Sequence, residues 1–226
     1  MEFAAPASLT ERIADHLGAD IIAGRLAPEA RIQELRIAGS LGVSRGSVRE
    51  ALLILERRHL VRLLPRRGAV VTRLEPTAVA ECSELLTEVQ ALFFGKLARV
   101  EGLDLGPFER SLQAMAIGVQ NDDVGEVLGA RRAFIAAGID ALDSYHLAAV
   151  LDGLLPAGLR IAHLAAGHPE SDQRDGLRFH HALLKAVTAA DVARIRELIA
   201  AFNGRECKLA LATLSIEGTR SMSSGF

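Results

Sequence analysis

The sequence predicts a mostly α-helical protein in two parts: three helices and a β-hairpin in residues 1–75, then an all-α bundle of six or seven helices in residues 76–226. Apolar residues recur at helical spacing through most of the chain, which is the main signal for amphipathic helices. Around the sequence PRRG at 65–68, apolar and β-branched runs are typical of two short strands joined by a tight turn. At 226 residues, the chain is long enough to bury two hydrophobic cores.

The first three helices follow from capping residues and apolar stripes. Ser8 can cap a first helix whose apolar residues repeat every four positions. A short second helix fits residues 33–41, and Ser44 is an N-cap for a third helix over residues 45–58. The positions that predict the buried faces are Leu9, Ile13, Leu17 and Ile21 in the first helix, and Val48, Ala51, Leu52 and Leu55 in the third.

The hairpin completes a recognisable arrangement. The runs LVRLLP and GAVVTRL predict its two strands, and three helices followed by a hairpin form a winged helix-turn-helix. In that fold the second helix of the pair enters the major groove of DNA with its N-terminal end first, where Arg45 and Arg49 lie one turn apart. The hairpin turn would bring Arg66 and Arg67 to the backbone or the adjacent minor groove.

Charge is divided unevenly along the chain. Residues 1–75 contain 12 Arg, no Lys and 9 Asp or Glu, although the whole chain has a net charge of -2. Between residues 36 and 73 there are 9 Arg against two acids, Glu50 and Glu56. A basic run is most often a solvated face, but one basic end on a weakly acidic protein suits a module that binds a polyanion. The pattern therefore favours double-stranded DNA as the partner.

The stretch LAPEARIQELRIAGSLGVSRGSVREALLILERRHLV, followed by PRRGAVV, resembles the N-terminal domain of the GntR family of bacterial regulators. The helical second half, about 150 residues, resembles the effector domain of the FadR-like branch of that family. Glu29 and His59 depart from the family, because both stand at turns where glycine is usual. The arginine pattern and the resemblance together predict a set of DNA-binding residues: Arg36, Ser44, Arg45, Ser47, Arg49, Arg66, Arg67 and Gly68, the last of which shapes the wing.

Many FadR-like effector domains hold a divalent metal with one Asp and three His, and the resemblance locates these positions. Arg131 and Ile135 stand in place of the first two ligands, His180 matches the third, and Phe202 stands in place of the fourth. One imidazole cannot hold a site that needs about three protein donors. The sequence therefore predicts no metal and no other cofactor.

Arg131 lies in line with the apolar face of its predicted helix, and a buried guanidinium needs an anionic partner. That partner is either a protein carboxylate or the head of an apolar acid, such as a fatty acid or an acyl thioester. By resemblance, Gln90 and Phe94 stand where relatives often carry arginine and glutamate. The predicted effector-binding residues are Gln90, Phe94, Arg131, Ile135, His180 and Phe202.

Six helices are predicted in the second half, near residues 77–101, 104–120, 123–142, 144–166, 171–189 and 191–214. Pro156 is expected to bend or interrupt the fourth of them, and the tail at 215–226 is expected to be frayed. Cys82 and Cys207 form neither a disulfide framework nor a paired zinc motif, so we expect buried free thiols.

These features predict a homodimeric, ligand-responsive transcriptional regulator, usually a repressor, that binds a palindromic operator. The alternative is a constitutive DNA-binding or architectural protein whose helical domain only dimerises. An internal partner for Arg131 would favour this alternative, whereas a cavity lined by Arg131 and His180 would favour the sensor.

Other classes of protein are less well supported by the sequence. No catalytic triad, phosphate-binding loop or paired carboxylates stand out, so we expect no enzyme; a metalloenzyme with a DNA-binding appendage would need the ligands that are missing. The N-terminus has no basic region followed by an apolar run, and we find no uninterrupted apolar run of the ~18 residues typical of a membrane span. We expect a cytoplasmic protein with no membrane partner.

Overall fold

The computed structural model describes residues 8–65 and 67–223, with side chains as far as residue 216. The chain divides into two compact units, Met1–Leu74 and Glu75–Phe226. Each unit has a hydrophobic core of its own.

The N-terminal unit is a winged helix-turn-helix. Its helices are α1 (Leu9–Ile22), α2 (Glu34–Leu41) and α3 (Arg45–Arg57), and its strands are β1 (Arg31–Ile32), β2 (Val61–Leu64) and β3 (Gly68–Val71). The strands form an antiparallel sheet in the order β1-β3-β2. The sequence predicted the hairpin β2–β3 but missed β1, because two residues are too few to show an alternating pattern.

A capping box fixes the start of α1. The hydroxyl of Ser8 accepts the N–H of Glu11 at 3.2 Å, and the N–H of Ser8 donates to the Glu11 carboxylate at 2.7 Å. The predicted apolar face is buried except at its first position, Leu9, which remains 50% exposed. Arg58, at the C-terminal end of α3, pairs with Asp15 in the middle of α1 at 2.9 Å and connects the two helices.

The apolar stripe of α3 forms the centre of this unit's core. All four predicted positions are completely buried: Val48, Ala51, Leu52 and Leu55. Burial of one leucine side chain contributes roughly 1.5–3 kcal/mol, so the stripe fixes the rotation of α3 about its axis. Arg45 and Arg49, which flank this stripe near the N-terminal end of the helix, are therefore held toward solvent.

Gly68 shapes the wing through its backbone. Its φ is +79°, and a Cβ atom at this position would lie 2.3 Å from the carbonyl oxygen of Ile32 on β1. Since no side chain fits that approach, only glycine allows β3 to pair with β1.

The backbone conformation at Glu29 and His59 explains why glycine is usual at these two turns. Their φ angles are +66° and +56°, in the left-handed region, where a side chain costs roughly 1–2 kcal/mol. Both turns form nevertheless: the N–H of Glu29 donates to the carbonyl of Val71, and that of His59 to Glu56, each at 2.9 Å. The two departures from the family therefore change the local strain and leave the fold intact.

Every secondary-structure element described in the second unit is a helix. Its helices are α4 (Pro76–Leu97), α5 (Gly106–Gln120), α6 (Val124–Leu142), α7 (Tyr145–Ala166), α8 (Gln173–Thr188) and α9 (Val192–Ser223). These correspond to the six predicted helices, which confirms the predicted fold class.

The structure bears on two expectations for this unit. Helix α7 continues through Pro156, so the interruption expected there does not occur, and Leu151 and Leu159 on either side are buried in the bundle. Helix α9 is assigned as far as Ser223, whereas the sequence predicted a frayed tail at 215–226. The one glycine between residues 215 and 223 weakens a helix by about 1 kcal/mol without breaking it. Residues 224–226 lie outside the described part.

Aromatic side chains fill the centre of the helical unit. Phe93, Phe94, Phe108 and Phe134 are each at most 2% exposed. The rings of Phe108 and Phe134 meet edge to face with centroids 5.1 Å apart, an arrangement worth about 0.5–1.5 kcal/mol beyond burial. This aromatic core holds α4, α5 and α6 together.

Cys82 and Cys207 are free thiols and are half-buried. Burial, and to a smaller extent the proximity of Cys207, raises the pKa of the Cys82 thiol to about 11. Cys82 is therefore protonated, and a poor nucleophile, at neutral pH.

Among the described residues, α7 alone is long and apolar enough to cross a membrane by those two measures, with a mean hydropathy of 1.4. Core helices of many proteins meet the same criteria, so the finding does not establish a membrane span.

Replacing His59 with glycine should raise the free energy of unfolding by about 0.5–1 kcal/mol, because the relief of left-handed strain exceeds the added chain entropy of glycine. Urea unfolding followed by circular dichroism measures the change. The control is Leu53→Gly in the middle of α3, which should destabilise the protein by at least about 1 kcal/mol. A less stable His59→Gly protein would contradict the strain at this turn.

Candidate functional site

The N-terminus of α3 is built around a serine cap. The hydroxyl of Ser44 accepts the N–H of Ser47 at 3.0 Å and lies 2.8 Å from the Ser47 hydroxyl. Gly42, with φ of +65°, ends α2 and begins the turn into α3. The two predicted DNA-binding serines therefore have a structural role as well, since they fix where α3 begins.

Arg45 and Arg49 extend from this end of α3 with 65% of each side chain exposed. Arg49 Nε lies 3.2 Å from one carboxylate oxygen of Glu34, and Arg45 Nη2 lies 3.5 Å from the other. A single carboxylate at the start of α2, itself 13% exposed, braces both guanidinium groups. Arg49 contacts Glu34 through Nε, a geometry that is compatible with a bidentate contact between its terminal amino groups and guanine.

These positive charges oppose the electrostatics of the helix. The N-terminus is the positive end of the helix dipole, where a cation costs roughly 0.3–1 kcal/mol, and α3 has no acid in its first turn. Glu34 offsets part of that cost. A phosphate group or a base edge at this position would offset more of it, so the arrangement suits an anionic partner.

The remaining predicted DNA-binding residues lie on α2 and in the wing. Arg36 and Arg67 are both exposed. Gly68 has the backbone role described above, and Arg66 lies outside the described residues. The described residues of the set thus belong to one unit, with their charged groups open to solvent.

The predicted effector-binding residues come together around one cavity of the helical unit. Helices α4, α6, α8 and α9 contribute all six: Gln90, Phe94, Arg131, Ile135, His180 and Phe202. The cavity volume is about 40 Å³, enough for a few water molecules. A fatty acyl chain does not fit in this conformation unless the walls move.

Arg131 has an internal partner, Glu206 on α9. The Arg131 Nη1 and Nη2 groups donate to the two carboxylate oxygens of Glu206 at 2.7 and 2.9 Å. The side chains are only 15% and 19% exposed. This bidentate geometry is among the strongest that a charged pair adopts, so in this conformation a protein carboxylate neutralises Arg131.

Phe202 packs beside the Arg131–Glu206 pair, and the three side chains form a wall shared by two cavities. Its ring lies 5.1 Å from the Arg131 guanidinium and stacks on Phe179, with centroids 4.1 Å apart. A second cavity, of about 50 Å³, shares Arg131, Phe202 and Glu206 with the first. These three side chains stand between two small cavities, and their movement would create one larger space.

Sequence reasoning missed the acids that pair with the arginines, together with Asn203. The Asn203 side-chain amide donates to Gln90 Oε1 at 3.0 Å, so Gln90 is already engaged across α4 and α9. Glu206 lies four residues after Phe202, on the same side of a helix, and that spacing was a usable signal. No comparable spacing in the sequence relates Glu34 on α2 to the arginines of α3.

His180 is a neutral group in the wall of the cavity. It is 4% exposed, and burial, together with the charge of Arg131, lowers its pKa from 6.5 to about 3. Its Nδ1 donates to the carbonyl of Gly176 at 2.7 Å, which leaves Nε2 unprotonated at neutral pH. Phe134 and Phe179 meet the imidazole edge to face and fix its orientation.

The residues around His180 do not suit a divalent cation. In the part of the chain that the structure describes, no group of three or more His, Cys, Asp or Glu side chains could hold a metal ion. A guanidinium beside the single imidazole would also repel a cation.

Comparison with known proteins identifies both units. Residues 9–71 match the family described as bacterial regulatory proteins, gntR family, and residues 96–203 match the FCD domain. The chain is 42% identical over 65 residues to an uncharacterized HTH-type transcriptional regulator of Streptomyces ambofaciens, covering 29% of this chain and 28% of that protein. It is 29% identical over 154 residues to the gluconate operon transcriptional repressor of Bacillus subtilis (strain 168), covering 66% of this chain and 62% of the repressor. The chain thus spans less than two thirds of the length of these curated relatives.

Solved structures share the fold over most of the chain. E. coli McbR/YncC has a TM-score of 0.79 at 21% identity, covering 92% of this chain and 100% of that one. A protein described as a GntR transcriptional regulator from Rhodococcus sp. RHA1 has a TM-score of 0.70 at 22% identity, covering 90% and 98%. At such identities, the similarity supports the fold alone.

The low pKa of His180 should make stability depend on pH. The unfolded chain binds a proton near pH 6.5, whereas folded His180 binds one only near pH 3. The stability that neutral His180 contributes is therefore present above pH 6.5 and is lost below it, by up to about 1.4 kcal/mol per pH unit.

Urea unfolding of the wild type and of His180→Phe, at about pH 7.5, 6.5 and 5.5, isolates this group from the other histidines. We expect the wild type to lose more stability than the variant between the two lower pH values. Identical pH dependence in the two proteins would mean that His180 titrates normally.

Proposed function

We propose that this chain is a DNA-binding transcriptional regulator of the GntR family that acts as a repressor, because residues 9–71 match the gntR family of bacterial regulatory proteins and residues 96–203 match the FCD domain. The observation that carries the proposal is the pair of exposed arginines at the N-terminus of α3, braced by Glu34. The Bacillus subtilis relative is a transcriptional repressor, which supports the same role here. A protein that acts on the bacterial chromosome works in the cytoplasm.

In the proposed complex, α3 enters the major groove with its N-terminal end first. Arg49 presents its two terminal amino groups to the O6 and N7 atoms of a guanine, a contact worth about 1–3 kcal/mol of base discrimination. Arg45 lies one turn earlier and is held by the same carboxylate. The wing turn, with Arg67, contacts the backbone or the adjacent minor groove.

We infer a homodimer that reads a palindromic operator, because one short helix recognises only a few base pairs and two-fold symmetry doubles the site. Leu85 and Leu92 support the assembly. They lie two turns apart on one face of α4 and are 54% and 51% exposed. Apolar side chains repeated along an exposed helix face suit burial against a second copy.

For the effector we propose an acid with an apolar tail, such as a fatty acid or an acyl thioester, as the FadR-like character of the helical domain suggests. The acid would replace Glu206 on Arg131, since either carboxylate makes the same bidentate contact. Phe202 must move to admit it, which would join the cavities of about 40 and 50 Å³. Release of Glu206 would loosen α9 from α6, and coupling of this kind is typically worth about 1–3 kcal/mol.

A second candidate is a constitutive DNA-binding protein whose helical unit only dimerises. The internal Arg131–Glu206 pair and the small cavity favour it, because the described conformation offers an acid neither a free cation nor much space. The two candidates share the same DNA-binding surface and differ only in whether a ligand changes the affinity for DNA.

Arg49→Ala should lower the affinity for the operator by about tenfold to a hundredfold, because the guanine contact is lost. A mobility-shift titration of operator and scrambled duplexes measures the effect. Arg194→Ala, which removes an exposed arginine from the helical unit, is the control. Circular dichroism should show both variants folded. Normal operator binding by Arg49→Ala would show that this residue does not read the operator.

The acid effector is tested by calorimetric titration with octanoate and succinate. We expect octanoate to bind the wild type, Arg131→Met to abolish binding, and Glu206→Gln to bind about tenfold more tightly, because the competing carboxylate is gone. Glu197→Gln, at a 67% exposed position on the same helix, should behave as the wild type does. If neither octanoate nor succinate binds the wild type, the proposal of an acid effector is wrong and the constitutive DNA-binding protein is the better candidate.

A further inference from the structure

The outer face of the three-stranded sheet carries arginines that are separate from those at the N-terminus of α3. In the sheet register, Arg31 on β1 and Arg62 on β2 both pair with Val70 on β3. Their neighbours Ile32 and Val61 are buried in the core of the unit. Because side chains alternate between the faces of a sheet, the two arginines and Val70 form a row on the outer face.

Arg67 extends this row toward the wing turn. The strands of a sheet lie ~4.8 Å apart, so the Cα atoms of Arg31 and Arg62 are on the order of 10 Å apart across β3. Together with Arg67 they line a solvent-open depression of about 640 Å³, whose floor includes Leu64 and Val70. We call Arg31, Arg62 and Arg67 the outer wing arginines.

The charge of this depression is unbalanced. Among the described residues that line it, Glu29 is the one acid. Within the described part of the chain, the outer wing arginines form no ion pair, whereas Arg25 of the same unit pairs with Asp20 at 2.8 Å. Three like charges on one small face repel one another, so the face contributes little to folding and suits a polyanion.

We propose that the outer wing arginines bind the phosphate backbone of the same duplex, beyond the base pairs that α3 reads. This inference rests on the proposed function. Its support is the excess of positive charge and the continuity of the surface, because Arg67 belongs both to the wing turn and to the outer face. A DNA backbone that contacts Arg67 at the wing turn would next contact Arg62 and Arg31 along the same face.

Contacts of this kind add affinity without sequence preference. Each phosphate that a cation neutralises releases counterions, so the slope of log K against log salt becomes steeper by about 0.9 per contact. The outer wing arginines would therefore set how much DNA flanking the half-sites is needed for full affinity, while Arg49 sets which sequence is bound.

The test uses the full chain and two duplexes that carry the same operator. The long duplex extends about ten base pairs, one helical turn, beyond each half-site, and the short duplex ends at the half-sites. Fluorescence anisotropy across a salt series compares the wild type with an Arg31→Ala/Arg62→Ala double variant. An Arg194→Ala/Arg196→Ala double variant removes the same charge from the helical unit and serves as the control.

On the long duplex we expect the outer-face variant to lose about two units of salt slope and at least about tenfold in affinity at low salt, while the control keeps the wild-type slope. On the short duplex the outer-face variant should match the wild type. A wild-type slope for the outer-face variant on the long duplex, or an equal loss on both duplexes, would overturn the inference. Failure of the wild type to bind either duplex would overturn the proposed function, and this inference with it.

Discussion

The positive charge concentrated at the N-terminus of α3 is the constraint on which the DNA-binding unit depends. The buried stripe of α3 prevents the helix from turning its arginines away from solvent. The helix dipole makes that end unfavourable for cations. Glu34 relieves the conflict only in part, because Arg45 and Arg49 share its single carboxylate and remain 65% exposed. The free protein thus retains a charge imbalance that an anionic partner relieves, which is why the geometry leads to DNA.

In the helical unit, a single carboxylate, that of Glu206, neutralises the buried guanidinium of Arg131. Arg131 is mostly buried, so loss of Glu206 without replacement would leave a costly unpaired charge. Exchange of one carboxylate for another changes the Coulomb energy little, because both make the same bidentate contact. Phe202 stands beside the pair and separates two cavities. The ion pair and the two cavities are the features on which the proposed acid effector rests.

The sequence predicted the features that local patterns determine. The caps at Ser8 and Ser44 and the four buried positions of α3 were correct, because capping and periodicity act over a few residues. The six residues predicted by resemblance to bind an effector line one cavity, and their role in binding stays a prediction. Strand β1 was missed because it is only two residues long and forms by pairing with a distant strand. The partner Glu34 was missed for a similar reason, since its ion pairs join separate helices that only the tertiary fold brings together. For Glu206, the spacing from Phe202 was a signal in the sequence, but the pairing with Arg131 on another helix was not.

The central claim is that the exposed cationic surface of the first unit binds a DNA duplex. Titration of the intact protein into labelled double-stranded DNA, repeated from low to moderate ionic strength, tests it most directly. Binding should be saturable at low salt and should weaken linearly in log K against log salt, with a slope of about -0.9 for each phosphate contacted. Absence of duplex binding at low ionic strength, or an affinity that salt leaves unchanged, would contradict the account.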